Sequence, residues 1–300
     1  MCRIWIKVFI PLVIALALVP LSSCSETSDE GDKIPQRIVS LAPSNTEILF
    51  ALGLGDQVVG VTDYCDFPPE AKLKEKIGGF SEVNLEKVLS LSPDLVLAAD
   101  IHTKTIVPEL ENRGLKVIVL NPKTIDELLA NITQVGALTG KEAESAKLVA
   151  DMKGRIEAVT DKVSSLSNED KPGVFFITWH DPPWTVGSGN IINELIEKAG
   201  GTNIFADLEG NKSVILETII ARNPQVMLAS TGHGEGGKNT LKWAQTEDRL
   251  RGTDARKNNR AFEINADLVN RSGPRIVDGL ESMARCIHPE IFGTPGEPAR

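Results

Sequence analysis

The sequence predicts an α/β protein with two similar lobes, each a mostly parallel sheet flanked by helices, joined by a single long α-helix. Two observations predict this class. A helix, a Pro-marked turn and an apolar strand occur in residues 85–98 and again, in the same order, in residues 216–229. Helix-favouring sequence separates the two copies, from about residue 126 to residue 165. Two β/α modules joined by a helical spine therefore account for the pattern.

The N-terminal segment indicates export. Arg3 and Lys7 precede an apolar stretch from Val8 to Val19 that is too short to span a bilayer comfortably, as is typical of a signal peptide. Leu21-Ser22-Ser23-Cys24 matches a bacterial lipobox, which predicts that Cys24 is acylated and becomes the mature N-terminus. The alternative is an ordinary secretory signal with a chance cysteine. We therefore predict an extracytoplasmic protein that is lipid-anchored to the cell envelope, on the periplasmic side or the outer face of the cytoplasmic membrane.

The net charge of the chain limits its class of partner, and its length limits the number of domains. The 300-residue chain carries 32 Lys+Arg against 41 Asp+Glu, a net charge of −9, which disfavours a nucleic-acid partner. The sequence after the leader is longer than one hydrophobic core usually organises. We predict a monomer, and its predicted segments are a signal peptide at 1–23, a flexible tether at 24–36, an N-terminal lobe at 37–140, an interlobe helix at 141–168, a C-terminal lobe at 169–292 and a tail at 293–300.

Each lobe begins with a strand that enters a Pro-containing loop and then a helix. Glycines at 53 and 200 are positioned to end those two helices. Thr139-Gly140 interrupts the interlobe sequence, so its second part predicts a helix of about 25 residues, nearly 40 Å long. The predicted strands span residues 37–41, 58–62, 95–98, 117–120, 174–178, 226–229 and 261–264.

The loop after the first strand is a candidate ligand site. Ser44-x-x-Glu47 matches a capping box that would start the first helix. Pro43 to Asn45 would then lie at the carboxyl end of the strand, where open α/β sheets bind ligands. Ser44 and Asn45 are therefore candidate ligand contacts, with a capping role alone as the alternative for Ser44.

A second candidate lies in the other lobe, in residues 179–184. Trp179, His180 and Trp184 follow a strand, and two prolines between them are expected to break regular pairing. We expect a loop that places both tryptophans at a cleft between the two lobes.

Histidines and cysteines raise two further possibilities. His102, His180 and His233 each follow a strand and would offer imidazole ligands to a metal, a haem iron or a corrinoid cobalt, with hydrogen bonding within a loop as the alternative. Direct capture of zinc or manganese needs three or four converging ligands. An oxidising compartment permits Cys65 and Cys286 to form a disulfide.

Motifs of enzymes are missing from the sequence. Gly53-Leu54-Gly55 lacks the third glycine of a dinucleotide fingerprint, and it closes a helix instead of opening one. Neither a Gly-x-Ser-x-Gly elbow nor a phosphate-binding loop occurs. We predict a protein that is not an enzyme and carries no cofactor.

Four ordered motifs are distributed along the chain: Arg37-Ile38-Val39-Ser40-Leu41-Ala42-Pro43-Ser44-Asn45-Thr46-Glu47, Tyr64-Cys65-Asp66-Phe67-Pro68-Pro69-Glu70-Ala71, Asn84-Leu85-Glu86 and Gly273-Pro274-Arg275-Ile276-Val277. Together they resemble the helical-backbone periplasmic binding proteins for cobalamin and iron-siderophores, over nearly all of residues 35–290. The resemblance implies lobes at the two ends of one long helix, a metal-chelate ligand and delivery to an ABC importer permease dimer.

The resemblance also implies ligand contacts. Tyr64 matches a tyrosine that lies against the ligand in the cobalamin-binding relatives, and Phe80 stands where they carry a tryptophan, with a plain core role as the alternative. Trp184 matches an aromatic position, whereas other tryptophans of the relatives fall here on Ala99 and Asn211. Asp267 and Arg271 occupy a region that contributes polar contacts. We therefore predict a corrinoid ligand, with a ferric siderophore or haem as the alternative.

Glu86 and Glu217 are related by the internal repeat. The resemblance implies that they dock onto arginines of the permease, and one acidic residue on each lobe suits a partner with two-fold symmetry. The alternative is a favourable interaction with the helix dipole alone.

Overall fold

The computed structural model describes residues 33–232 and 235–295, together with Met1. The predicted signal peptide, the lipidation site at Cys24 and His233 lie outside these residues. Among the helices of the described ranges, none has the length and apolar character needed to cross a bilayer.

Across the described residues the backbone forms twelve strands and twelve α-helices. The strands are β1 (Ile38–Ser40), β2 (Val58–Val61), β3 (Glu75–Lys76), β4 (Leu95–Ala98), β5 (Val117–Val119), β6 (Gly173–Ile177), β7 (Trp179–His180), β8 (Pro183–Val186), β9 (Thr202–Asn203), β10 (Asn211–Ser213), β11 (Val226–Thr231) and β12 (Ala261–Asn265). The helices are α1 (Pro43–Ala51), α2 (Leu85–Ser90), α3 (Ile106–Glu111), α4 (Ile125–Thr139), α5 (Glu142–Val163), α6 (Ile191–Lys198), α7 (Leu216–Arg222), α8 (Glu235–Thr246), α9 (Asp254–Lys257), α10 (Ala266–Val269), α11 (Ile276–Ile287) and α12 (Pro289–Phe292).

Two parallel sheets form the lobes. The first has the order β3-β2-β1-β4-β5 and the second the order β12-β11-β6-β9, with every pairing in both sheets parallel. When the order of the second sheet is reversed, β9-β6-β11-β12 corresponds strand by strand to β2-β1-β4-β5 of the first sheet. The two lobes therefore share one arrangement of strands. The predicted repeat is confirmed, because α2 leads into β4 as α7 leads into β11. The two-lobed α/β class is confirmed with it.

Both faces of each parallel sheet are buried, which explains the apolar runs in their strands. In β1, Ile38 packs into one cluster while Val39 packs into another, as the two-residue period of a strand requires. In β6, Phe176 packs into the same cluster as Ile38, and Phe175 packs into a third cluster. The cluster that contains Ile38 also contains Phe176, together with residues of α4, α5, α6 and α11. Helices between the sheets therefore give the lobes a shared core.

The interlobe sequence folds into two packed helices, α4 and α5. Gly140 ends α4 in the left-handed conformation at φ +66°, as the predicted break requires. The second helix has 22 residues, which corresponds to a length of about 33 Å. At the contact between the helices, an added Cβ on Gly136 would lie 2.2 Å from the Ser145 hydroxyl. The close approach of the two backbones therefore requires glycine at this position.

Two local predictions are wrong. Ser44 and Glu47 do not form a capping box, since α1 begins after Ala42, which makes no side-chain cap. Pro43 takes the first helical position, where the missing N–H costs nothing, and the carboxylate of Glu47 turns to Arg275 instead. The second wrong prediction concerns residues 179–184, which were expected to form a loop.

Residues 179–184 form a β-hairpin in which β7 and β8 pair antiparallel, and β10 adds a third strand. Pro182 lies in the turn, where no ladder hydrogen bond is needed, and Pro183 is the first residue of its strand. The Thr178 amide donates to the Trp184 carbonyl at 3.0 Å, so pairing continues past the prolines.

Candidate ligand-binding cleft

A pocket of about 350 Å³ lies where the carboxyl ends of β1 and β2 face the second lobe. This is the edge of a parallel sheet at which ligands bind. Six of its lining residues come from the first lobe and two from the second: Ala42, Pro43, Ser44, Tyr64, Phe80, Ser81, Asn270 and Arg271. The pocket thus brings together four predicted ligand contacts, Ser44, Tyr64, Phe80 and Arg271.

Two aromatic side chains form the apolar part of the pocket. Tyr64 follows β2 and exposes 61% of its surface, while Phe80 is half-buried. An exposed tyrosine that is not needed in the core offers a flat face to a ligand at little entropic cost. The pair is therefore suited to a ligand with a large planar surface.

His102, which was predicted to contact the ligand, does not line this pocket. His102 is 1% exposed, and both of its ring nitrogens already have backbone partners. Nδ1 accepts from the Ala99 amide at 2.9 Å, which leaves Nε2 to donate to the Phe80 carbonyl at 2.7 Å. Burial lowers the pKa of His102, so the neutral ring is favoured. The ring also meets that of Phe80 edge-on at 5.4 Å, and His102 therefore positions Phe80.

Asn45, a second predicted ligand contact, does not line this pocket either. Its side chain is 1% exposed and donates to the Ala98 carbonyl at 2.9 Å. A buried amide must satisfy its hydrogen bonds within the protein. Asn45 therefore ties α1 to the end of β4, and only its neighbour Ser44 faces the pocket.

Arg271 connects the two lobes at the edge of the pocket. Its Nη1 lies 2.6 Å from the carboxylate of Asp66 in the first lobe, and its Nη2 lies 3.0 Å from Asp267 in the second. Burial alone would raise the pKa of Asp66, but the hydrogen bond and charge of Arg271 outweigh burial and lower it. Asp267 thus holds Arg271 in place, and the guanidinium is fixed beside the pocket.

A second arginine reinforces this connection. Arg275, at the start of α11, donates twice to Glu47 of α1, which is 3% exposed. The hydrogen bond to Glu47 raises the pKa of Arg275 despite its burial. The ring of Phe67 lies 3.9 Å from the same guanidinium, a cation–π contact. We call Glu47, Asp66, Asp267, Arg271 and Arg275 the interlobe clasp.

Sequence reasoning missed Glu47 and Asp66 as functional residues. Glu47 was assigned to a helix cap, which its spacing from Ser44 favoured. The available signal was the pair of arginines at 271 and 275, because two neighbouring guanidiniums need more carboxylate partners than Asp267, the one acidic residue of the segment 265–275, can supply.

The two predicted cleft tryptophans lie outside the pocket lining. Trp179 and Trp184 are directly paired in the hairpin and expose 43% and 39% of their surfaces. Directly opposed residues project from the same face of an antiparallel pair. The two indoles therefore form one exposed apolar strip on the second lobe.

His180 lies in a different pocket, of about 480 Å³, which it shares with Glu217 and Trp243. Its Nδ1 is 3.2 Å from the Thr240 hydroxyl. The structure thus separates His180 from His102. Within the described ranges, no group of three His, Cys, Asp or Glu side chains is arranged to hold a metal ion.

Glu86 and Glu217 occupy matching places, each in the first turn of its helix, α2 or α7, and each exposed. Their local surroundings differ. Glu86 follows the N-cap Asn84, whose side chain accepts from the Lys87 amide, whereas Glu217 follows Ile215, which is 62% exposed.

The disulfide that an oxidising compartment would permit between Cys65 and Cys286 is not formed. Cys65 and Cys286 are both buried and free. Cys65 lies 3.1 Å from the hydroxyls of Thr46 and Thr62 in the first lobe, and Cys286 belongs to α11 of the second. Burial raises the pKa of Cys286 to about 12, which keeps it protonated and unreactive.

The sequence profile of the periplasmic binding protein family matches residues 38–268. The chain belongs to this family. It is 35% identical to YvrC of Bacillus subtilis, an uncharacterised ABC transporter substrate-binding lipoprotein, over 87% of this chain and 82% of that protein. A vitamin B12-binding protein of Vibrio campbellii is 31% identical over 84% of this chain and 89% of its own. A solved structure of a possible iron-binding periplasmic solute-binding protein from Staphylococcus epidermidis superimposes with a TM-score of 0.75 at 31% identity, covering 85% of this chain and all of that one (100%).

Periplasmic binding proteins are non-enzymatic components of transport, so the prediction that the chain is not an enzyme is confirmed. The chain is a substrate-binding protein of an ABC transporter and binds a small molecule. Proteins of this kind work with a permease and an ATPase, and the relatives of this chain are extracytoplasmic.

Proposed function

We propose that this periplasmic binding protein captures a corrinoid in the cleft between its lobes and delivers it to an ABC importer. The observation that carries the proposal is the pocket in which Tyr64 and Phe80 are joined by the guanidinium of Arg271. Aromatic faces suit the flat surface of a macrocycle. The guanidinium and the Asn270 amide suit the carboxamide groups at its edge.

The identity of relatives supports the same ligand class. The vitamin B12-binding protein of Vibrio campbellii aligns with most of this chain. The likeness to the Staphylococcus epidermidis structure favours a ferric chelate, a siderophore or haem, as the second candidate. Capture of a bare metal ion has less support, because both ring nitrogens of His102 are engaged.

Docking to the permease is proposed for Glu86 and Glu217. Each carboxylate is exposed, and each stands at the same position of a repeated unit, one on each lobe. A partner with two-fold symmetry presents two equivalent surfaces, which two repeat-related acidic residues match. Rim charges of this kind govern encounter and specificity more than total affinity.

Anchoring through an acylated Cys24 is proposed from the lipobox, with support from the lipoprotein description of YvrC. Acylation of Cys24 would hold the lobes close to the membrane that contains the permease. One lipid chain alone binds membranes weakly, so stable attachment requires more than one chain.

Ligand titration tests the function. Protein beginning at Ser25, and therefore unlipidated, is titrated with cobinamide, cobalamin, haem, several ferric siderophores and zinc, with quenching of tryptophan fluorescence as the readout. Trp179 and Trp184 are exposed and serve as reporters. We expect saturable binding of at least one corrinoid that is tighter than binding of the other compounds. Saturable binding of zinc without binding of any chelate would overturn the proposal.

A further inference from the structure

A second cavity of about 340 Å³ opens on the other side of the segment that carries Arg271. Asn270 lines both cavities, so they are neighbours. The space corresponds to roughly ten water molecules at liquid density. Its lining comes from both lobes and includes Asn121, Lys123, Val186, Asn190, Asn211 and Asn270. We call it the amide cavity.

Side-chain amides and one lysine supply most of the polar groups of the amide cavity. Four side-chain amides line it, from Asn121, Asn190, Asn211 and Asn270, and Lys123 is the one charged residue of the lining. The Lys123 ammonium makes no ion pair with any residue of the described ranges. Lys123 therefore places one positive charge at the cavity, and each amide beside it offers both a donor and an acceptor.

Two of the amides are held in fixed positions. The Asn190 Oδ1 accepts from the Ile192 amide at 2.9 Å, and its Nδ2 donates to the Asn211 Oδ1 at 3.2 Å. The remaining Nδ2 of Asn211 has no partner among the described residues. A donor whose orientation is already set loses little entropy when it binds a ligand.

The wall of the amide cavity continues along the sheet towards the exposed apolar strip formed by Trp179 and Trp184. Asn211 pairs with Val186, and Trp184 is two residues before Val186 on the same strand. Alternate residues of a strand share a face, as do directly opposed residues. Asn211, Val186, Trp184 and Trp179 therefore project from one face of the three-stranded sheet, and the first two of them line the amide cavity.

We propose that the amide cavity receives an anionic, hydrogen-bonding arm of the ligand while the flat part of that ligand lies on Tyr64 and Phe80. This inference rests on the proposed function and specifies its ligand class, a planar chelate with an arm that carries a phosphate diester or a carboxylate. Lys123 supplies the charge, and the Asn211 amide supplies an oriented donor. A chelate that lacks the arm leaves these donors to water.

Cobalamin and cobinamide test the inference, because they share the corrin ring and only cobalamin has the phosphodiester-linked nucleotide arm. We expect the wild-type protein to bind cobalamin about tenfold more tightly than cobinamide, which is the effect of one charge-assisted contact. Lys123→Met is expected to remove this preference by weakening cobalamin alone. Asn211→Asp keeps the acceptor for Asn190 but adds a negative charge, and is expected to weaken cobalamin about fivefold.

Lys153→Met is the matched control, since Lys153 is an exposed lysine of α5 outside both cavities. It should leave both affinities unchanged. Equal binding of the two corrinoids, unaltered by Lys123→Met, overturns the inference and leaves the proposed function intact. Failure of both corrinoids to bind the wild-type protein overturns the proposed function and the inference together.

Discussion

Glu47 of the first lobe and Arg275 of the second form a two-point ion pair, with Nε and Nη2 of the guanidinium 2.9 and 2.6 Å from the two carboxylate oxygens. The residues are 228 positions apart in the chain. Because a fork-to-fork pair fixes direction as well as distance, it sets how the lobes meet at one edge of the pocket.

Glu47→Gln is expected to destabilise the protein by about 2–4 kcal/mol, because it leaves two guanidiniums without their shared buried carboxylate. Urea unfolding measures the change. The control is Glu75→Gln, which removes an exposed carboxylate 3.8 Å from Lys87 and should have no measurable effect. Equal unfolding midpoints for Glu47→Gln and the wild-type protein would contradict the role of the clasp.

Tyr64→Ala is expected to weaken corrinoid binding about tenfold while the unfolding midpoint stays the same, since most of this side chain is outside the core. Fluorescence titration and thermal unfolding together check both parts. Leu73→Ala serves as the control, because Leu73 is 86% exposed and does not line the pocket. If both variants bind alike, Tyr64 is not a ligand contact.

His102 predicts a dependence of stability on pH. Burial lowers its pKa in the folded state below the ordinary value of 6.5, so the unfolded chain takes up a proton first as the pH falls. Stability from this group is therefore complete above pH 6.5 and is lost as the pH decreases from there towards the lowered folded-state pKa.

His102→Gln keeps a donor for the Phe80 carbonyl but does not titrate. The difference between unfolding free energies at about pH 7.5 and about pH 5.5 should be smaller in this variant than in the wild-type protein. An unchanged difference would show that His102 does not contribute to the pH dependence.

Two glycines of the interlobe helices should respond to alanine in opposite directions. Gly136→Ala places a methyl group within 2.9 Å of the Lys141 carbonyl and closer still to Ser145, so it should destabilise by about 1–3 kcal/mol. Gly154→Ala meets no atom within 4 Å and should stabilise α5 by up to about 1 kcal/mol. Chemical denaturation of both variants tests the close packing of α4 on α5, and stabilisation by both would argue against it.

The docking residues are tested by transport. The double variant Glu86→Ala, Glu217→Ala should lose most uptake while its ligand affinity is unchanged, because both carboxylates lie outside the pocket. Glu109→Ala, which removes an acidic residue of α3 that has no counterpart in the repeat, is the control. Retained uptake by the double variant would remove these two residues from the docking surface.

The strands and helices were predicted well from the sequence, because the hydrophobic period and the Gly and Pro residues at turns are local properties of the chain. The strand at residues 95–98 and the helix break at Gly140 both agree with the predictions. The same local reasoning could not decide which side chains at the strand ends face the ligand. Asn45 and His102 have suitable chemistry for binding, yet each satisfies a buried backbone group that lies elsewhere in the fold.

Long-range pairing explains the other errors. Glu47 is three residues after Ser44, which made a cap the simplest interpretation, but a guanidinium from the other lobe binds the carboxylate more strongly than an amide does. The hairpin at residues 179–184 formed despite its prolines because both occupy positions that need no N–H donor. Neither outcome follows from residue types alone.

Arg271 is held by Asp66 from one lobe and by Asp267 from the other, and it also lines the pocket. Any movement that separates the lobes must first pull this guanidinium away from Asp66. A membrane partner that moves the two lobes apart would thereby displace a residue of the pocket in the same motion that opens the cleft. Release of the ligand would then need no separate signal.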